Sequence, residues 1–157
     1  MKKIVFVCRG NLIRSQICKA LYNQMASRNS FAESYGTEAK EDGNEGVTIG
    51  SHQYLSNLVK IMSNQGLDIS KEVSRQLKES VIKDADKIIM MGRKSNIPQW
   101  MKKYNYEYWE DCTNEVEKNK DLNLNLKIPK FGDTKDIEET VVFLREKVKK
   151  LIEITDK

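Results

Sequence analysis

The sequence predicts an α/β fold, a three-layer sandwich around a four-stranded parallel sheet with a short loop of distinctive composition between the first strand and the first helix. Three observations carry this prediction. Ile4-Val5-Phe6-Val7 is an apolar, mostly β-branched run with the length of a strand buried on both faces. Strand-like runs then alternate with helix-period patterns along the chain. Between the first of each lies a short loop, Cys8 to Ser15, in the place where parallel sheets bind their ligands, beyond the carboxyl ends of the strands.

Past the loop, Ile17, Leu21 and Met25 recur at spacing four with Ala20 beside them, which predicts an amphipathic helix from Gln16 to about Ser27, ended by Asn29-Ser30. Phe31 to Tyr35 is the second strand, and a strand, loop, helix and strand at this spacing imply parallel pairing. Lys40 to Gly50 is polar and glycine-rich, a surface loop. Leu55, Leu58, Val59 and Met62 fall at i, i+3, i+4 and i+7 of a second helix, with Gly66 at its C-cap. A short helix through Val81 precedes the third strand, Ala85 to Met91. Ser95 to Lys103 is expected to be helical, and the aromatic alternation from Tyr104 to Trp109 suits a fourth strand. Trp100, Tyr104, Tyr106, Tyr108 and Trp109 are expected mainly in core and strand, with the alternative that some of them line the pocket. Glu110 to Lys127 has no period and reads as a long loop. In the last helix Ile137, Val141, Leu144, Val148 and Leu151 mark one face, with Glu138 and Glu139 in the first turn and Lys147, Lys149 and Lys150 in the last.

The Cys8 loop carries the chemistry. A loop running into a helix N-terminus aims successive backbone N–H groups into a concavity that suits phosphate. The same field favours a thiolate over a thiol, so Cys8 is the candidate nucleophile. Arg14, six residues later, offers a planar fork for two phosphoryl oxygens, and Ser15 has a hydroxyl to donate to the Cys8 sulfur. Arg9, Gly10, Asn11, Leu12 and Ile13 complete the phosphate-binding loop, Gly10 and Asn11 supplying its turn; Asn11 tolerates a left-handed backbone and can bond across the loop.

The 157 residues suit a single domain spanning 1–157, and 39% hydrophobic with 32% charged residues of both signs describe a globular protein. No apolar run approaches the roughly 20 residues of a membrane helix, and no signal-peptide core follows the first strand, so a cytoplasmic protein is expected. The net charge of +4 is explained by a lysine-rich solvated surface, and no basic motif interleaved with aromatics points to nucleic acid. Cys8, Cys18 and Cys112 are an odd, widely spaced set beside a single histidine, His52, which fits neither a disulfide framework nor a zinc site. Cys18 is expected to be packed on its helix and Cys112 exposed in a loop; His52 has no partner in the sequence that would make it catalytic.

Val7-Cys8-Arg9-Gly10-Asn11-Leu12-Ile13-Arg14-Ser15 resembles the V-C-x-G-N-x-C-R-S motif of the low-molecular-weight protein tyrosine phosphatases, a family that also contains thioredoxin-coupled arsenate reductases. Ser34-Tyr35-Gly36-Thr37, Leu67-Asp68-Ile69-Ser70, Ser74-Arg75-Gln76-Leu77 and Ala85 to Met91 resemble further segments of that family at matching places. The resemblance implies a phosphatase that hydrolyses phosphotyrosine or a related aryl or acyl phosphate monoester. Cys8 would form a cysteinyl-phosphate intermediate, Arg14 and the loop N–H groups would hold the phosphoryl oxygens, and Ser15 would ease thiolate departure. No metal or other cofactor is needed, because the cradle supplies the positive charge. The implied partner is a phosphorylated protein or small phosphomonoester, acted on by a monomer or weak dimer.

Two departures qualify the implication. Ile13 stands where the phosphatases have a second cysteine able to protect the nucleophile as a disulfide, and neither Cys18 nor Cys112 matches the relay cysteines of the arsenate reductases, which argues against arsenate reduction. The family's D-P-x-x-G segment, whose Asp protonates the leaving oxygen, aligns with Ile128-Pro129-Lys130-Phe131-Gly132, so Ile128 occupies the acid's position. A positioned proton donor is worth roughly 10²–10⁴-fold in rate. Asp133 is the nearest substitute and Asp111 the next. Lys130 also replaces an aromatic wall of the tyrosine pocket, a change toward more anionic substrates. The rival reading from Ile128 is a catalytically weak module that binds phosphate or a phosphoprotein; a phosphocysteine carrier of the sugar-transport type is argued against by Arg14 and Ser15.

Overall fold

The computed structural model describes residues 1–112, the side chain of Asp111 excepted, and 134–156. β1 (Lys2–Cys8) lies at the centre of a parallel sheet of order β2-β1-β3-β4, with β2 at Ser30–Gly36, β3 at Lys87–Met90 and β4 at Glu107–Tyr108. The helices are α1 (Arg14–Met25), α2 (Ser56–Ser63), α3 (Glu79–Ile82) and α4 (Thr134–Thr155). The chain leaves β1 to one side for β2 and to the other for β3. Cys8 ends β1 at that divergence, the place beyond the carboxyl ends of the strands where open parallel sheets characteristically bind ligands.

Side chains of β1 alternate between two cores, as the period of a strand requires. Ile4, Phe6 and Cys8 face α1, α2 and α4 through Ile17, Leu21, Leu58, Val141, Leu144 and Val148; Val5 and Val7 face Leu77, Ile82 and Met101 on the other side. Both faces of the central strand are therefore covered, and the three layers are the expected ones. Helix α2 ends as its sequence predicts: Gly66 has φ +79°, the Leu67 N–H donates to the Met62 carbonyl and the Gly66 N–H to that of Ser63, the paired bonds of a left-handed C-cap.

Three expectations change. Ser95 to Lys103 is not one helix but two 3-10 turns, Lys94–Asn96 and Gln99–Lys103. Pro98 separates them, since it has no N–H to give and disfavours helical backbone at Ile97, which is extended. The fourth strand is only Glu107–Tyr108, paired at Ile89 and Met90, because the residues before it pack as aromatic cover on the second core. Of the long loop expected from Glu110, a 3-10 turn over Glu110–Cys112 is seen, and 113–133 lie outside the described residues.

Candidate active site

The loop after β1 is fixed by its carbonyls. Those of Cys8 and Arg9 accept from the Thr37 and Glu38 N–H groups (2.9 and 2.8 Å), that of Gly10 from the Ser74 hydroxyl (2.8 Å), and that of Asn11 from Gln16 Nε2 (3.1 Å). A trans peptide holds its N–H opposite the preceding C=O, and no cis bond is found among the described residues; carbonyls tied outward thus turn the N–H groups toward the concavity. Asn11 makes the reversal with φ +56°, the left-handed region that Asn tolerates better than other side chains. Gly36 passes directly beneath the loop and Gly92, at φ +98°, lies beside the Arg9 N–H and the Arg14 guanidinium.

Helix α1 begins at Arg14 with no side-chain cap and no acidic residue in its first turn. Its orphan N–H groups and positive dipole end are thus left for an anion. Arg14 is half-buried, with Nη1 donating to the Cys112 carbonyl at 3.0 Å, a bond that holds the guanidinium from behind. Arg9 turns the other way and pairs with Asp42 through Nε and Nη2 (3.1 and 3.2 Å). Leu12 is buried, and Ile13 packs against the main core.

At the floor of the loop, the Cys8 sulfur lies 2.9 Å from Ser15 Oγ, and Asn11 Nδ2 donates to that oxygen at 2.7 Å. With Ser15 Oγ already accepting from Asn11, its own hydrogen is available to Cys8. Ser15 can thus donate to the sulfur whenever Cys8 is ionised, since a thiolate can only accept, and the Asn11 bond holds the hydroxyl where it does so. Asn11 Oδ1 in turn accepts from the Arg75 N–H (2.9 Å) and from Gln16 Nε2 (3.2 Å). The structure thus brings together Cys8, Asn11, Arg14 and Ser15 of the residues singled out in the sequence. Gly36 and Ser74, which lie in segments that resemble the family, prove to be structural partners of the loop, as do Gln16 and Gly92, for which the sequence carries no functional motif. The signal for Gln16 was a polar residue beside Ile17 on what became a buried first turn.

Other expectations divide. Cys18 is buried on α1 as expected, whereas Cys112 is buried rather than exposed, because the Glu110–Cys112 turn packs it into the core that holds Cys8 and Cys18. Burial, and the neighbouring Cys112 and Cys8, hold the Cys18 thiol well above its ordinary range. Trp109 packs in the core with its ring tilted 58° to that of Phe6, and Tyr108 donates its hydroxyl to the Gly92 carbonyl. His52 accepts from the Tyr54 N–H through Nδ1 at 3.2 Å. Asp133 and Ile128 to Gly132 lie outside the described residues, as does the side chain of Asp111.

Fold and loop together define a class: α/β proteins whose first parallel strand ends in a cysteine and hands the chain to a helix across a tightly tied loop. The chain belongs to the low molecular weight phosphotyrosine protein phosphatase family, whose model matches residues 3–157. Among solved structures it is similar to a low molecular weight protein tyrosine phosphatase from T. tengcongensis, at 24% identity and a TM-score of 0.66 over 98% of this chain and 99% of that one. A Streptococcus pyogenes low molecular weight protein tyrosine phosphatase matches at 24% identity and 0.67 over 100% and 95%. A thioredoxin-dependent arsenate reductase from Corynebacterium glutamicum matches at 22% and 0.64 over 99% of this chain and 63% of that one. No curated protein sequence matches the chain.

Proposed function

We propose that the protein is a cysteine-dependent phosphatase acting on phosphotyrosine or a related aryl or acyl phosphate monoester. The observation that carries this reading is the 2.9 Å contact between Ser15 Oγ and the Cys8 sulfur, at the floor of a loop that runs into a helix N-terminus. Cys8 attacks phosphorus in line with the leaving oxygen. The loop N–H groups and Arg14 hold the equatorial oxygens as charge spreads over them, and Ser15 stabilises the thiolate again when water releases phosphate. Asp133 is the proposed proton donor to the leaving group, in place of the acid that Ile128 displaces. The substrate is a phosphorylated protein or small phosphomonoester in the cytoplasm.

The test is hydrolysis of p-nitrophenyl phosphate by the purified protein without added metal. Cys8→Ser is expected to abolish it with an unchanged circular dichroism spectrum, since the loop cannot ionise a serine hydroxyl. Full turnover by the serine variant would reject the nucleophile. If the native protein binds phosphate but turns over no aryl phosphate, the reading as a binding module takes its place.

A second reading has one observation behind it, the gathering of Cys8, Cys18 and Cys112 in a single core. A thiol relay in arsenate reduction needs such neighbours. Arsenate-dependent oxidation of reduced thioredoxin measures it, and the raised Cys18 thiol weighs against it.

A further inference from the structure

Gln16 is buried at the first turn of α1, and its amide is oriented at a cost. Nε2 faces three acceptors, the Asn11 carbonyl (3.1 Å), Asn11 Oδ1 (3.2 Å) and the Val73 carbonyl (3.3 Å), while Oε1 has no hydrogen-bond partner among the described residues. A buried acceptor without a partner is destabilising. The opposite orientation is worse, because it sets Oε1 against all three oxygens. Gln16 is thus held at this place for its donor.

That donor stands at the head of a directed chain. Gln16 Nε2 and the Arg75 N–H converge on Asn11 Oδ1, which fixes the Asn11 amide so that Nδ2 points to Ser15 Oγ at 2.7 Å, and Ser15 Oγ is 2.9 Å from Cys8 Sγ. Donors arranged head to tail polarise one another. Around it, Gln16 joins three pieces of backbone: α1, on which it sits; the left-handed turn at Asn11; and the segment that carries Val73, Ser74 and Arg75. Lys19, one turn on, pairs with Glu72 at 2.7 Å and fastens the same segment to α1.

We propose that Gln16 is a positioning residue for the Cys8 nucleophile, setting through Asn11 the direction of the Ser15 hydroxyl. This rests on Cys8 being the reactive thiol of the proposed phosphatase. Gln16→Met keeps the length of the side chain and removes its donors; Gln16→Glu keeps the shape and leaves a carboxylate with nothing to donate. The variants are compared with the native protein by the rate at which iodoacetamide alkylates each cysteine at neutral pH, read by peptide mass, and by kcat and KM on p-nitrophenyl phosphate.

Alkylation of Cys8 is expected to slow by roughly fivefold in both variants, about the worth of one net hydrogen bond, with Cys18 and Cys112 still protected. The loss on p-nitrophenyl phosphate is expected in kcat more than in KM, and Gln16→Glu recovers part of it at acid pH, where a protonated carboxyl can donate once. A Gln16→Met protein with native Cys8 alkylation and native kcat overturns the proposal. So does faster alkylation of Cys18 or Cys112 in the variants, which marks loosened packing rather than lost positioning. If Gln16→Met does not fold, Gln16→Glu decides by the same readings. Alkylation needs no substrate, so a native protein that fails to hydrolyse p-nitrophenyl phosphate rejects the phosphatase reading and still leaves this comparison to be won or lost.

Discussion

Gly36 lies so close beneath Arg9 that a β-carbon at Gly36 would stand 2.6 Å from the Arg9 carbonyl oxygen. It would also stand 2.8 Å from the Asn11 nitrogen and 2.9 Å from the Gly10 carbonyl carbon. All three are backbone atoms of the loop, so no side chain can swing aside. The second strand is therefore the floor on which the Cys8 loop rests.

Gly36→Ala is expected to push the loop off that floor and to cost about 1–3 kcal/mol, the usual cost of overpacking a filled site. Urea unfolding measures the cost, and hydrolysis of p-nitrophenyl phosphate, expected to be nearly lost, measures the displacement. Native values of both would mean that β2 can retreat without consequence.

Asn11 combines a backbone role with a side-chain role, and two substitutions separate them. Asn11→Gly keeps the φ of +56° at no steric expense but removes the bonds to Ser15 and Arg75. Asn11→Ala removes the same bonds and adds the left-handed strain, so it should be the less stable variant by about 1 kcal/mol in denaturant unfolding. Both should lose turnover to a similar degree. A glycine variant with native turnover would show that the turn alone suffices.

The proton donor is tested by varying the leaving group. With Asp133 as the acid, the rate should depend only shallowly on leaving-group acidity, and Asp133→Asn should steepen the dependence and lower phosphotyrosine hydrolysis by roughly 10²-fold. With no working acid, p-nitrophenyl phosphate is cleaved far faster than phosphotyrosine in the native protein as well. A shallow profile that survives both Asp133→Asn and Asp111→Asn would exclude both carboxylates.

Glu38 supplies a pH test of the loop's surroundings. Burial, a hydrogen bond with Glu41 and the charges of Glu41 and Asp42 lift its carboxyl from 4.5 to about 7, against a lowering by the Arg9 guanidinium. Between those values the folded protein keeps a proton that the unfolded chain releases. Stability from this group is thus full below about 4.5 and is lost as the pH rises to about 7. Glu38→Gln, always neutral, should melt at a higher temperature than the native protein at pH 8 and at the same temperature at pH 4. An equal difference at both pH values would mean that the carboxyl is not held neutral by the fold.

Most of this architecture is legible in the sequence for simple reasons. Ile4 to Val7 leave no polar position for solvent, so a strand covered on both faces is the one reading open, and Ile137 to Leu151 repeat too regularly to be anything but a helix face. Cys8, Arg14 and Ser15 are legible because local spacing alone places them at the two ends of one short strand-to-helix loop. What escapes is set by distant contacts. Ser74 and Gly92 reach the loop only through tertiary folding, and Cys112 is buried by a turn whose sequence carries no apolar period. Pro98 was visible, and its interruption of the Ser95 to Lys103 helix follows from its missing N–H.

The first strand, the end of α1 and the end of the last helix are sewn together. Lys2 Nζ donates to the Thr155 carbonyl, Tyr22 bonds Thr155 through its hydroxyl at 2.7 Å, and the Ser27 N–H and hydroxyl are taken by Asp156. Helix α4 also covers the apolar face of α1, the element that carries Arg14 and Ser15. On the ribosome, at about 5–20 residues per second, that face emerges long before its cover does. The nascent chain thus carries the Cys8 loop ahead of an unroofed helix for several seconds, a window in which a chaperone has an exposed apolar surface to hold.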